Sequence, residues 1–189
     1  MRFNTLPEWL AWQETLHFTA VDPGLERIAE VWQQLGQTTR LPFTVITVAG
    51  TNGKGSSVAM LDAILRAAKY RVGSYTSPHL FSYNERIEVD GESCSDQQLC
   101  TVFEKIDQAM GSISLTYFEF STLAAALIFS EQQVDIAILE VGMGGRLDAV
   151  NLFDNDIALI TPISLDHTQW LGDDKESIAF EKAGVIRAG

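Results

Sequence analysis

The chain has 189 residues, 46% of them hydrophobic and 20% charged, with a formal net charge of −12. That length supports one domain with a sizeable core, and the composition is ordinary for a globular protein. So acidic a chain lacks the basic face that nucleic acid requires, and no apolar run reaches bilayer-spanning length, so neither nucleic acid nor a membrane is an expected partner.

Cys94 and Cys100 are the only cysteines, too few for a disulfide framework, and read as two reduced thiols. Glu8 and Glu14 interrupt the N-terminal apolar residues, which excludes a signal peptide there and leads us to expect a cytoplasmic protein. The sequence stops in mid-pattern at Gly189, just after a helical segment, so a longer parent is expected.

Residues 4–17 read as an amphipathic helix with Leu6, Trp9, Leu10 and Leu16 on one face. Asp22-Pro-Gly24 is a turn, and residues 25–35 form a second helix ended by Gly36. A buried strand at 45–49 precedes a helix at 57–69, and a short strand follows at 72–76. Residues 85–89 alternate polar and apolar up to Asp90-Gly91, a hairpin signal. Ser95 caps a helix reaching about Met110. A strongly apolar helix at 118–132, strands at 136–141 and 157–163, and a last helix at 175–187 complete the order. Strands alternating with helices predict an α/β fold: a mostly parallel sheet flanked by helices on both faces.

The chemistry concentrates at strand ends. Val45 to Ala49 feeds Gly50-Thr-Asn-Gly-Lys-Gly-Ser56, a glycine-rich turn whose lysine leads into a helix. Backbone N–H groups, the helix N-terminus and Lys54 together make a phosphate cradle. The strict phosphate-loop pattern would place Gly where Val48 stands and Ser or Thr where Gly55 stands, which points away from ordinary kinases and GTPases. Glu140 ends a hydrophobic strand, where a carboxylate beside the phosphate loop can hold Mg²⁺; taken alone, it is also a strand-end Glu facing solvent. Gly142-Met-Gly-Gly-Arg-Leu-Asp-Ala149 permits close backbone approach to a ligand, with Arg146 available for a carboxylate and Asp148 for an amine-bearing ring, or is a simple flexible turn. His167, beside Asp166, and the hydroxyl of Ser77 follow two further strands and are candidate metal ligands. From the residues alone, Lys182 reads as a lysine on a helix surface.

Six ordered motifs now carry a resemblance that spans essentially the whole chain. Gly50 to Ser56, Thr76-Ser-Pro-His-Leu80 with Glu85-Arg-Ile87, Leu115-Thr-Tyr-Phe-Glu119, Leu139 to Ala149, Leu165-Asp-His-Thr-Gln-Trp-Leu-Gly172 and Glu181-Lys-Ala-Gly184 resemble the folylpolyglutamate synthase/dihydrofolate synthase branch of the Mur-ligase superfamily. The two phosphate-loop departures are that family's own form. The resemblance implies an ATP-dependent amide ligase of folate biosynthesis, with dihydropteroate, folates and L-glutamate as substrates and two Mg²⁺ ions as cofactors. By the same resemblance Thr51, Asn52, Gly53, Lys54, Gly55 and Ser56 would bind ATP. Ser77 and Glu140 would hold one metal ion and His167 the second. Lys182 matches a lysine that this family carbamylates into a further metal ligand, and Lys54, Glu140, His167 and Lys182 form the catalytic set. Asp22, Pro23, Gly24 and Leu25 match a pterin-binding loop. Thr116, Tyr117, Phe118 and Glu119, with Leu147, Asp148 and Ala149, match further pteroate contacts, and the 115–119 segment resembles the bifunctional bacterial form. Residues 1–189 would be part of the N-terminal ATPase domain, without the C-terminal domain that this family adds. Such a piece is expected to be inactive alone and prone to self-association, from a monomeric parent. The rival readings are another Mur-type amino-acid ligase, which has no reason to carry the 22–25 and 115–119 segments, and a nucleotide-binding module without turnover.

Overall fold

In a computed structural model, residues 2–187 are described; Met1, Ala188 and Gly189, the ends of the range expected as one domain, lie outside the described residues. The order is α1 (Leu6–Leu16), α2 (Glu26–Gln34), β1 (Thr44–Ala49), α3 (Lys54–Ala67), β2 (Val72–Tyr75), β3 (Ile87–Val89), β4 (Glu92–Ser93), α4 (Asp96–Met110), α5 (Tyr117–Glu131), β5 (Ile136–Glu140), β6 (Ile157–Ile160), α6 (Thr168–Leu171) and α7 (Lys175–Ala183). The sheet runs β4-β3-β2-β5-β1-β6. Strands β2, β5, β1 and β6 are parallel, and β3 and β4 add an antiparallel margin. The expected mostly parallel sheet is present. Its parallel part brings the C-terminal ends of four strands to one edge, where open α/β sheets bind ligands.

Local sequence sets the helix starts. Capping boxes at Thr5 with Glu8, Ser95 with Gln98 and Thr116 with Glu119 satisfy the first free N–H groups of α1, α4 and α5, each cap contributing about 1 kcal/mol. Helix α5 is buried from Glu119 to Phe129 because it lies between the sheet and α1, α2 and α4, so its apolar residues run all round. Trp9, Trp12, Phe103 and Phe120 meet edge-to-face and hold α1 on α4 and α5. The opposite face is thinner. There α3 alone covers Ile46, Val48, Val72, Ile136 and Ile138, and at the edge strand β6 Ile157 remains 52% exposed.

Several expectations change: β6 ends at Ile160 rather than residue 163, and the strand expected from residue 85 begins only at Ile87, after a 3-10 turn at Tyr83–Arg86. Helix α3 starts at Lys54 rather than residue 57, because Gly53, at φ 84, turns the chain directly into it and Lys54, Gly55 and Ser56 form its first turn. The last helix stops at Ala183, where Gly184 ends it, rather than reaching 187. The short helix α6, which the sequence did not suggest, follows His167.

Candidate functional site

The loop after β1 and the first turn of α3 form the phosphate cradle. Gly53, Lys54, Gly55 and Ser56 stand at the N-terminus of a 14-residue helix, whose free N–H groups and dipole favour an anion. Thr51 and Asn52 are placed differently. The Thr51 N–H donates to the Pro162 carbonyl at 3.0 Å and its hydroxyl to the Ser164 carbonyl at 3.1 Å, while the Asn52 amide donates to the Ser164 hydroxyl at 2.9 Å. These two residues fasten the loop, and Gly53–Ser56 present it.

Two lysines converge on this loop: Lys54 Nζ and Lys182 Nζ donate to the Gly50 carbonyl at 3.0 and 3.1 Å. Lys182 is only 3% exposed, so the surface-lysine reading is corrected: it lies one helical turn after the buried Ile178, on the face of α7 that turns inward. Burial, and then the charge of Lys54, lower its pKa below the ordinary lysine range.

Glu140 ends β5, 5% exposed, and accepts the Ser77 N–H on Oε2 at 3.1 Å. Its carboxylate faces the start of α3: a Cβ on Gly55 would lie 3.9 Å from both oxygens. Burial raises its pKa, against which the Ser77 N–H and Lys54 act. A buried carboxylate beside a serine and the phosphate cradle suits a hard divalent cation. His167 is half exposed, its Nε2 3.6 Å from Asp166. Among the described residues, no three His, Cys, Asp or Glu side chains gather as a metal site.

Beside the cradle lies a cavity of about 220 Å³. The expected pteroate residues line it, except for Leu25 and Tyr117: Asp22, Pro23 and Gly24 on one wall, Thr116, Phe118 and Glu119 on another, and Leu147, Asp148 and Ala149 on a third. Leu25 instead begins α2, packed against the core, and Tyr117 faces a neighbouring cavity with Gln13 and Arg86. Gly142 lets Phe118 take its place, since a Cβ there would sit 2.8 Å from the ring. Glu181 lines the same cavity, and the next residue, Lys182, reaches the phosphate loop, so cavity and cradle adjoin.

Ion pairs hold the walls. Arg27 pairs with Asp22 at 2.6 Å and with Glu119 at 3.2 Å, and His17 Nε2 lies 3.1 Å from Asp22. Asp148 is buried and accepts the Met143 and Val150 N–H groups at 2.9 and 3.1 Å. Desolvation still pushes its pKa up to about 6. Arg146, expected to be available for a carboxylate ligand, stacks on Phe180 at 4.3 Å and bonds its carbonyl, so it fastens α7 to the 142–149 loop.

Arg27, Ser164 and Gln13 were not singled out from sequence. Arg27 lies in the first turn of α2 and Asp22 in the loop before it, five residues apart, a separation that no helical spacing rule pairs. Ser164 and Gln13 gave no signal, and the buried Gln13 amide has no hydrogen-bond partner.

The Mur ligase middle-domain model matches residues 48–188, and the chain belongs to that family. Within it, the dihydrofolate synthase/folylpolyglutamate synthase of Escherichia coli (strain K12) is 51% identical over 185 residues, which are 98% of this chain and 44% of that protein. The Haemophilus influenzae protein of the same name is 49% identical over 184 residues, covering 97% and 42%. The structure of E. coli FolC in complex with DHPP and ADP superposes with a TM-score of 0.95 at 50% identity, over 98% of this chain and 45% of that one. A bifunctional folylpolyglutamate synthase/dihydrofolate synthase with Mn, AMPPNP and L-glutamate bound superposes at 0.90, also at 50% identity and with the same coverages. The chain therefore spans less than half the length of these relatives.

Proposed function

We propose that the chain carries the ATP- and pteroate-binding part of a cytoplasmic ligase that joins L-glutamate to dihydropteroate and to reduced folates. The observation that carries this reading is the adjoining cavity and phosphate cradle: the pteroate-assigned residues line one, and Lys54 and Lys182 close on the other. Similarity to relatives of that name, and to structures holding DHPP, ADP and L-glutamate, supports it.

In the proposed reaction, a substrate carboxylate oxygen takes the γ-phosphoryl group of ATP, giving an acyl phosphate and ADP. The amine of L-glutamate then attacks the acyl carbon, the amide forms, and phosphate and a proton leave. The N–H groups of Gly53–Ser56 and the Lys54 ammonium bind and orient the phosphates. Ser77, Glu140, His167 and a carbamylated Lys182 would hold two Mg²⁺ ions, whose charge neutralises the triphosphate. Carbamylation needs a neutral lysine amine, which adds to CO₂ and releases one proton, and the lowered pKa of Lys182 favours that form. The apolar cavity walls keep water from the acyl phosphate, and a fixed pteroate supplies proximity.

A second reading, nucleotide binding without turnover by these 189 residues alone, draws on the half-exposed His167, whose ring lies 3.6 Å from Asp166. Calorimetric titration with 7,8-dihydropteroate, with and without Mg-ATP, tests the proposal. Saturable binding that weakens about tenfold or more in Asp22→Ala or Phe118→Ala is expected. ATP binding without any pteroate binding would turn the reading towards another Mur-type substrate.

A further inference from the structure

The phosphate loop and the segment that carries His167 are joined before any ligand arrives. Thr161 N donates to the Ala49 carbonyl at 2.8 Å and its hydroxyl to the same carbonyl at 3.2 Å. The Pro162 carbonyl takes the Thr51 N–H. At Ser164 the pattern closes on itself. The Thr51 hydroxyl donates to the Ser164 carbonyl and accepts the Ser164 N–H, both at 3.1 Å, while the Ser164 hydroxyl accepts from the Asn52 amide at 2.9 Å. Gly50 makes the approach possible: at φ 147, a Cβ there would stand 1.8 Å from Thr161 Oγ1. All three hydrogen-bonding groups of Ser164 are engaged on the loop, three residues before His167.

We propose that Ser164 is a positioning residue that latches the phosphate loop to the His167 segment, so that phosphate binding at Gly53–Ser56 and the placement of His167 are coupled. The inference rests on the nucleotide reading of this site. A loop that tightens on phosphate moves Thr51 and Asn52, and their bonds carry the shift to Ser164 and along its short tether to the imidazole. Coupling of this kind is energetic and reciprocal, so a change at His167 alters nucleotide affinity by the same factor.

The test is NMR on the full chain titrated with ADP in the presence of EDTA, so that no metal coordination can shift the imidazole, following the Gly53 amide and the His167 side chain. In the wild type both shift along one saturation curve. In Thr51→Val/Ser164→Ala the Gly53 amide still shifts, at roughly tenfold weaker affinity for the lost hydrogen bonds, while the His167 shift is lost. Ser164→Ala alone, at a half-buried side chain, gives a partial loss and guards against misfolding of the double variant. Thr51→Ser, which keeps the hydroxyl, restores the wild-type response. An undiminished His167 shift in the double variant, or a wild type in which Gly53 responds and His167 does not, overturns the latch alone. A wild type in which neither responds overturns the nucleotide reading together with it.

Discussion

Asp148→Asn should change how the stability of the fold depends on pH, on top of a fixed cost. The folded pKa of Asp148 is pushed up to about 6, from an ordinary value of 3.8, because burial disfavours the carboxylate more than the Met143, Val150 and Gly142 N–H groups and the Lys54 charge favour it. A folded pKa above the unfolded one means the group's stabilising contribution is complete below about pH 3.8 and lost as pH rises through about 6. The separation, about 2.2 units at 1.36 kcal/mol each, sets the full loss at about 3 kcal/mol. About 1 kcal/mol of it is already lost at pH 4.5 and nearly all of it by pH 7.5. Asparagine does not titrate. It keeps one acceptor for these N–H groups and forfeits the other, at a fixed cost of about 1–3 kcal/mol. The stability difference between Asp148→Asn and wild type should therefore move by about 2 kcal/mol in favour of the variant from pH 4.5 to 7.5. Urea unfolding of both proteins at one-unit pH intervals measures this, and other titrating groups cancel in the difference. A difference that stays constant with pH would refute the reasoning.

Two further outcomes are expected. Gly142→Ala brings a methyl to 2.8 Å from the Phe118 ring; displacing the ring should destabilise the fold by about 1–3 kcal/mol and weaken 7,8-dihydropteroate binding, and a calorimetric affinity equal to wild type would count against Phe118 as a cavity wall. In ¹³C-bicarbonate at alkaline pH, the wild type should give a carbamate carbon resonance that Lys182→Ala lacks; a spectrum without it in the wild type would sink the modification proposed for Lys182.

The strand-end motifs were legible because each obeys a local rule. The glycine-rich turn after β1 and the carboxylate ending β5 are set by residue type and spacing within a few positions, whereas residues 22–24, read as a turn, lead into α2 with no turn formed. The helix caps at Ser95 and Thr116 are local in the same sense. The left-handed turn at Gly53 starts α3 three residues before the position the sequence pattern suggests, even though Gly55 lowers helix propensity in its first turn.

Sequence by itself therefore determined the alternating elements, the mostly parallel sheet and the identity of the candidate site residues. Only the tertiary structure decided how those residues divide their work. Thr51 and Asn52 share a motif with Gly53 and Lys54, yet they face Pro162 and Ser164, more than a hundred residues away. Arg146 turns to Phe180 rather than to a ligand, and Lys182, a residue type that ordinarily stays in solvent, is drawn in to the Gly50 carbonyl. The reason is common to all three. A short-range pattern fixes the backbone that carries a side chain, whereas its partner is fixed by packing between segments far apart in sequence, which no local spacing encodes.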